Sequence, residues 1–241
     1  MTNQTWKELS SELDSLLKLS SPALAITFSE QAPPGTARFE GDMPEPAPDG
    51  RTGKVPAGCV FWIEAETRTF TTEPEDHGNC SVGSMTHGLK TLEEVAGNSD
   101  VAALLESGWV TLDVVPNIPV VKSRPNFITY GPLEETRVDP DVVFMRLNPK
   151  QAMILSDALP GLRFEGKPQC HIIAIAKEQN EPAVSVGCML SRVRTGLPNG
   201  EMTCAIPAGK LSDVIAALKT TAVADYAVAS YASRDAQRFG R

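Results

Sequence analysis

The feature that most constrains how this chain can fold is a pattern that occurs twice. In the first half, the apolar run ALAITF (23–28) leads, after a variable stretch, to Cys59-Val-Phe-Trp-Ile-Glu-Ala65, and then to Cys80 in a Gly-rich segment. In the second half, VVFMRL (142–147) leads in the same way to Cys170-His-Ile-Ile-Ala-Ile-Ala176, and then to Cys188 directly after Gly187. The fifth cysteine, Cys204, has no counterpart in the pattern. A unit of about 70 residues is short for a stable core of its own and gains by burying its strands against a copy of itself. The expectation is therefore one module of two similar α/β halves, roughly 20–90 and 140–208, packed about a pseudo-two-fold axis, with 91–139 as a connecting helix and strands. Cys59, Cys80, Cys170 and Cys188 would then meet near that axis, though far apart in sequence.

Periodicity supplies the rest of the fold. Residues 5–19 repeat Leu at helical spacing, with Thr5 or Asn3 as cap. Strands are expected at 23–28, 59–63, 68–72, 109–115, 126–130, 142–147, 170–176, 182–187 and 202–207. Helices are expected at 91–107, broken near Gly97 and Asn98, and at 149–159, 210–219 and 222–236. Pro149 is well placed to open its helix. Residues 31–58 carry six Pro and five Gly and read as one long loop, a kind of segment that is usually functional in a compact domain. Helices and strands are interspersed without a regular βαβ series, so the fold class is α+β, a mixed or antiparallel sheet with flanking helices.

Charge and cysteine usage narrow the functions. The 30 acidic residues against 22 basic ones leave a net charge of −8, which repels phosphate backbones and argues against a nucleic-acid partner. No apolar stretch approaches the roughly 20 residues that span a bilayer. The acidic, amphipathic N-terminus lacks the features of a secretory signal, so the expected compartment is the cytoplasm. Five cysteines there are thiols or metal ligands before they are a disulfide framework.

The strongest local signal is Asp76-His77-Gly78-Asn79-Cys80-Ser81-Val82-Gly83. His77 and Cys80 can turn to one point in a loop, and backbone N–H groups around Gly83 can donate to thiolate or sulfide. The second is Ser185-Val186-Gly187-Cys188-Met189-Leu190-Ser191-Arg192. Here Gly187 frees the backbone beside the thiol, and Arg192 and Arg194 offer positive charge to a thiolate or to an anionic ligand. Cys59 and Cys170, each opening an apolar strand, read singly as core residues. His87 is a candidate ligand or acid–base group. No paired CxxC, HExxH, Walker A, GxGxxG or GxSxG motif is present, so a metal here would be gathered by the fold.

At these residues the chain resembles a known family, the bacterial and archaeal domain of unknown function 169. The resemblance rests on Cys59, the Glu75-Asp76-His77…Cys80…Gly83 turn, Pro140–Val143 and the Cys170 segment. It continues through Ser185, Gly187, Cys188, Ser191 and Arg192 to Ile206-Pro207. It runs over nearly the whole chain and implies one intact module, without implying a reaction.

The leading expectation is an iron–sulfur protein with a redox or lyase role on a small-molecule substrate. Cys59, Cys80 and Cys188 are the leading ligands, with Cys170 or His77 as the fourth. His77, His87 and Arg192 are the candidate catalytic groups; Gly83, Gly187 and Arg194 are the candidate cofactor contacts. Zinc in a closed thiolate site is the alternative metal. A metal-free thiol enzyme would use Cys188 as nucleophile, Arg192 as activator and His77 or His87 as base. A non-catalytic binding module would use loop 31–58 as a lid over an anion held by Arg192 and Arg194. A homo-oligomer is compatible with each reading.

Overall fold

The computed structural model describes residues 4–40 and 58–240, apart from the side chains of 194 and 195. The elements run, in chain order, α1 (Trp6–Leu17), β1 (Leu24–Ser29), α2 (Gly58–Glu64), β2 (Phe70–Thr72), α3 (Ser81–Thr86), α4 (Leu92–Val95), α5 (Ser99–Glu106) and β3 (Phe127–Pro132). They continue β4 (Val142–Leu147), α6 (Pro149–Ala158), β5 (Arg163–Glu165), α7 (His171–Ala174, prolonged by a π turn over Ile175–Gln179), β6 (Ala183–Ser185), α8 (Met189–Thr195), β7 (Met202–Pro207) and α9 (Leu211–Arg238). Local chemistry sets several of these limits. Thr5 and Glu8 form a reciprocal capping box at the start of α1. Asn148 and Gln151 form another at α6, with Pro149 in its first turn.

The strands make one seven-stranded sheet in the order β2-β3-β1-β4-β7-β6-β5. Every pairing is antiparallel except β5 with β6. The fold is thus α+β with a mixed sheet, as the interspersed elements predict. Alternation along the strands sorts side chains to two faces. Ala25, Val143, Met145 and Ile206 pack under α1, α6 and α9, against Leu13, Leu155, Leu211 and Ile215. Leu24, Ile26, Ile128, Tyr130 and Phe144 pack on the other face against Phe61 and Trp62 of α2 and Ile172 and Ile173 of α7. Each such buried side chain contributes roughly 1.5–3 kcal/mol of transfer free energy.

The pairing register repeats across the sheet. Leu24 faces Pro132 where β1 meets β3, and Val142 faces Pro207 where β4 meets β7. Phe70 and Thr72 of β2 face Tyr130 and Ile128, and Ala183 and Ser185 of β6 face Ala205 and Thr203. The central β1–β4 pair is centred on Ala25 opposite Val143, with Leu24 opposite Phe144 and Ile26 opposite Val142. By pairing register, therefore, β1 corresponds to β4, β3 to β7 and β2 to β6. By this register the matched stretches are 24–132 and 142–207, and Thr129 occupies the place of Cys204.

Several expected elements differ. CVFWI (59–63) and CHIIAIA (170–176), read as strands, are helical, in α2 and in α7 with its π turn. Both are buried against the sheet, and burial on most sides erases the polar face that distinguishes a helix in sequence. WVTLDVV (109–115) forms no strand; Leu112 and Val114 are exposed and Pro116 follows. The two expected C-terminal helices are one, α9, buried through Leu218 and exposed at Val223, Tyr226, Val228 and Tyr231. The Gly-punctuated segment after β2 is a 3-10 turn (Pro74–His77) followed by α3. Of the expected loop 31–58, residues 41–57 lie outside the described residues, as does Asn3; Phe39 is buried beside Phe61 and Phe70. Among the described residues, no helix is long and apolar enough to cross a membrane.

Candidate metal centre

The thiol-bearing helices cross between the two halves. α2 packs against α8, and α3 packs against α7. Each brings a cysteine at its first turn. Cys80 and Cys188 are the N-cap residues of α3 and α8, both with extended backbone. Cys170 is the N-cap of α7, and Cys59 is the second residue of α2.

All four line one small cavity of about 30 Å3, with Trp62, His87, Trp109, Gln169, Leu190 and Ser191 among its other walls. No charged side chain lines it among the described residues. Cys170 and Cys188 are buried, while Cys59 and Cys80 are half-buried and form the side nearer solvent. Cys204 is wholly buried in the core under the opposite face of the sheet.

The surroundings of the sulfurs are partly polar. The Gly83 N–H donates to Cys80 Sγ at 3.4 Å. The Thr86 hydroxyl lies 3.2 Å from Cys170 Sγ and 3.1 Å from the Gly83 carbonyl, so its single proton serves one of them at a time. Burial pushes the Cys170 thiol well above its ordinary range, and the nearby Cys80, Cys188 and Cys59 add to the shift. Tyr130 is raised in the same way, by burial and by Cys170 and Cys59. The Cys170 thiol therefore holds its proton unless a cation takes its place. Burial alone raises Cys204, to about 12.

The histidines divide. His87 lines the cavity, fully buried, and neither ring nitrogen meets a hydrogen-bond partner among the described residues. Burial lowers its pKa to about 4, so the ring is neutral at neutral pH. It lies so close to Gly58 that a Cβ there would stand 2.8 Å from its Cε1, which is why the residue before Cys59 has no side chain. His77 lies behind the wall. Its Nε2 is 2.9 Å from Thr72 Oγ1, whose own proton goes to the Ile128 carbonyl, so Nε2 is the protonated nitrogen. His77 packs on Phe61 and His87, and burial, helped by His87, pulls its pKa well down.

Arg192 does not face the Cys188 thiol as an activating charge. Its Nη2 donates to the carbonyls of Val186, Asn199 and Glu201. Gly187 makes this possible: its φ is +114°, and a Cβ there would lie 2.0 Å from Arg192 Nη1. The side chain of Arg194 lies outside the described residues. Gly83 needs no special conformation, since it sits within α3 and acts through its N–H.

The sequence reading passed over Trp62, Trp109, Gln169 and Thr86. The Trp62 indole N–H and both polar atoms of the Gln169 amide are buried without a partner among the described residues. Each such group costs about 1–3 kcal/mol unless something in the cavity satisfies it. Also among the described residues, no three His, Cys, Asp or Glu side chains converge as the ligands of a single metal ion do.

The α+β fold thus brings four cysteines to the wall of one cavity without charged lining among the described residues. By sequence, the chain belongs to the family of the domain of unknown function 169, described as uncharacterised ArCR, whose profile matches residues 12–217. Searches of curated proteins and of solved structures found no match.

Proposed function

We propose that this protein binds an iron–sulfur cluster through Cys59, Cys80, Cys170 and Cys188 and uses it for one-electron transfer. The observation that carries the reading is the placement of these four thiols, from four separate helices, around one cavity without charged lining. A lone buried cysteine is explained as a small hydrophobe, and Cys204 fits that description. Four around a cavity, two from each register-matched half, do not.

The chemistry favours a cluster over a single ion. Tetrahedral zinc with Zn–S near 2.3 Å requires sulfurs roughly 3.8 Å apart, whereas the described residues offer no such trio. An iron–sulfur cluster spreads its thiolates over several iron atoms and so accepts wider spacing. Four thiolates leave no iron open to substrate, which favours electron transfer over a lyase reaction. We take the two halves to be copies of one ancestral unit, each giving one thiol from the helix that precedes its short strand, β2 or β6, and one from the helix that follows it. Thiols on the solvent side of such a site persist in a reducing compartment, so the cytoplasm is the proposed location.

Anaerobic reconstitution with ferrous iron and sulfide tests this. The protein should turn brown, hold iron and sulfide in near-equal amounts, and change its paramagnetic resonance when dithionite supplies one electron. Folded protein that takes up no iron under these conditions would remove the proposal.

A further inference from the structure

A cluster held by four thiolates is an anion, and its reduction makes it more negative. The cavity offers it no cationic side chain among the described residues. Charge in such a place is stabilised by dipoles. One is already directed at sulfur, the Gly83 N–H at Cys80, and the Thr86 hydroxyl can turn its proton to Cys170.

Three further groups carry N–H donors to the same cavity. Trp62, His87 and Gln169 are at most 2% exposed, and all line it. The indole Nε1 of Trp62, both ring nitrogens of His87 and the amide nitrogen of Gln169 meet no acceptor among the described residues. They come from three different segments: Trp62 from α2, His87 from the end of α3, and Gln169 from just before Cys170. Three donors left without acceptors in one cavity need a common acceptor there. Sulfide and thiolate sulfur is the acceptor chemistry that four cysteines would bring.

We infer that Trp62, His87 and Gln169 are positioning residues that donate hydrogen bonds to the sulfurs of the cluster and raise its reduction potential. The inference rests on the proposed cluster. Hydrogen bonds to cluster sulfurs are one of the terms that set such potentials, because each N–H stabilises the more negative, reduced form more than the oxidised one.

The test is a potentiometric titration of reconstituted wild type, Trp62→Phe and Gln169→Leu, with dithionite as reductant. Phenylalanine keeps an aromatic ring against Phe144, on which Trp62 packs at 4.4 Å, and removes only the donor and part of the ring. Each variant should retain its cluster and be harder to reduce. A tenfold change in the reduction equilibrium, 59 mV for a one-electron couple, is the expected scale. Iron–sulfur stretching bands of the wild type should also shift in deuterated water, and shift less in the variants. Variants that hold a cluster at the wild-type potential would overturn the inference and leave the proposed function standing. Loss of the cluster from either variant would also overturn it, since these groups are assigned to tune and not to ligate. Failure of the wild type to hold a cluster would instead remove the proposed function itself.

Discussion

The buried imidazole of His87 makes a measurable claim about stability against pH. In the folded protein its pKa is lowered to about 4 by burial, against an ordinary value of 6.5. Between those values the unfolded chain binds a proton that the folded chain refuses, so stability falls as the pH drops through that window. Below pH 4 both forms are protonated and the loss is complete. The full interval is worth roughly 3 kcal/mol, and the part between pH 7 and pH 5 about 2 kcal/mol. His77 shifts in the same direction and adds to the trend. The assay is urea unfolding of the wild type and of His87→Phe at pH 7 and pH 5. Carboxylates and His77 titrate in both proteins and largely cancel in the comparison. The wild type should lose about 2 kcal/mol more than the variant on going to pH 5, whatever the substitution itself costs. Equal losses would mean that His87 is not held neutral in a buried wall, and the description of the cavity would be wrong.

Three sets of substitutions probe the remaining parts. Cys59→Ala, Cys80→Ala, Cys170→Ala and Cys188→Ala should each lower iron content on reconstitution while Cys204→Ala does not, as measured by elemental analysis; equal loss in all five would indicate general misfolding and void the ligand assignment. Arg146, on β4, is ion-paired with both Glu66 and Glu201, and all three are largely buried. Arg146→Met should therefore cost about 3–5 kcal/mol in urea unfolding, and a cost below about 1 kcal/mol would show that the pairs are solvent-screened. Gly187→Ala should destabilise by about 2 kcal/mol or more and reduce iron uptake, because the new Cβ evicts Arg192 from the carbonyls it ties beside Cys188; unchanged stability and iron content would refute that role.

Much of the sheet was legible because its strands are short, nearly continuous apolar runs. VVFMRL and MTCAIP match β4 and β7 residue for residue, and the broken helix at 91–107 reappears as α4 and α5. The segments around the cysteines were harder to read for a physical reason. Ile172, Ile173, Ala174 and Ile175 are all wholly buried, so the helix they form shows no polar stripe and looks like a core strand. α3 (SVGSMT) is six residues, all weak helix formers except Met85. Its cap is a thiol accepting the Gly83 N–H, a group absent from the usual capping set. The convergence of the cysteines was visible only through the repeat, since no local spacing announces it. The arginines illustrate the converse. Two positive charges after Cys188 suggest an activated thiol, but the φ of Gly187 turns Arg192 toward carbonyls. Trp62 and Gln169 gave no signal, because a buried donor without an acceptor is recognisable only once the walls of the cavity are assembled.

X-ray absorption at the iron edge of the anaerobically reconstituted protein tests the central claim most directly. If Cys59, Cys80, Cys170 and Cys188 hold a cluster, the nearest neighbours of iron are all sulfur, with a second shell of iron. That second shell should disappear, or the iron should be lost, when any one of the four is replaced by alanine. A first shell of nitrogen and oxygen, or a sulfur-bound iron unaffected by these replacements, would contradict the account.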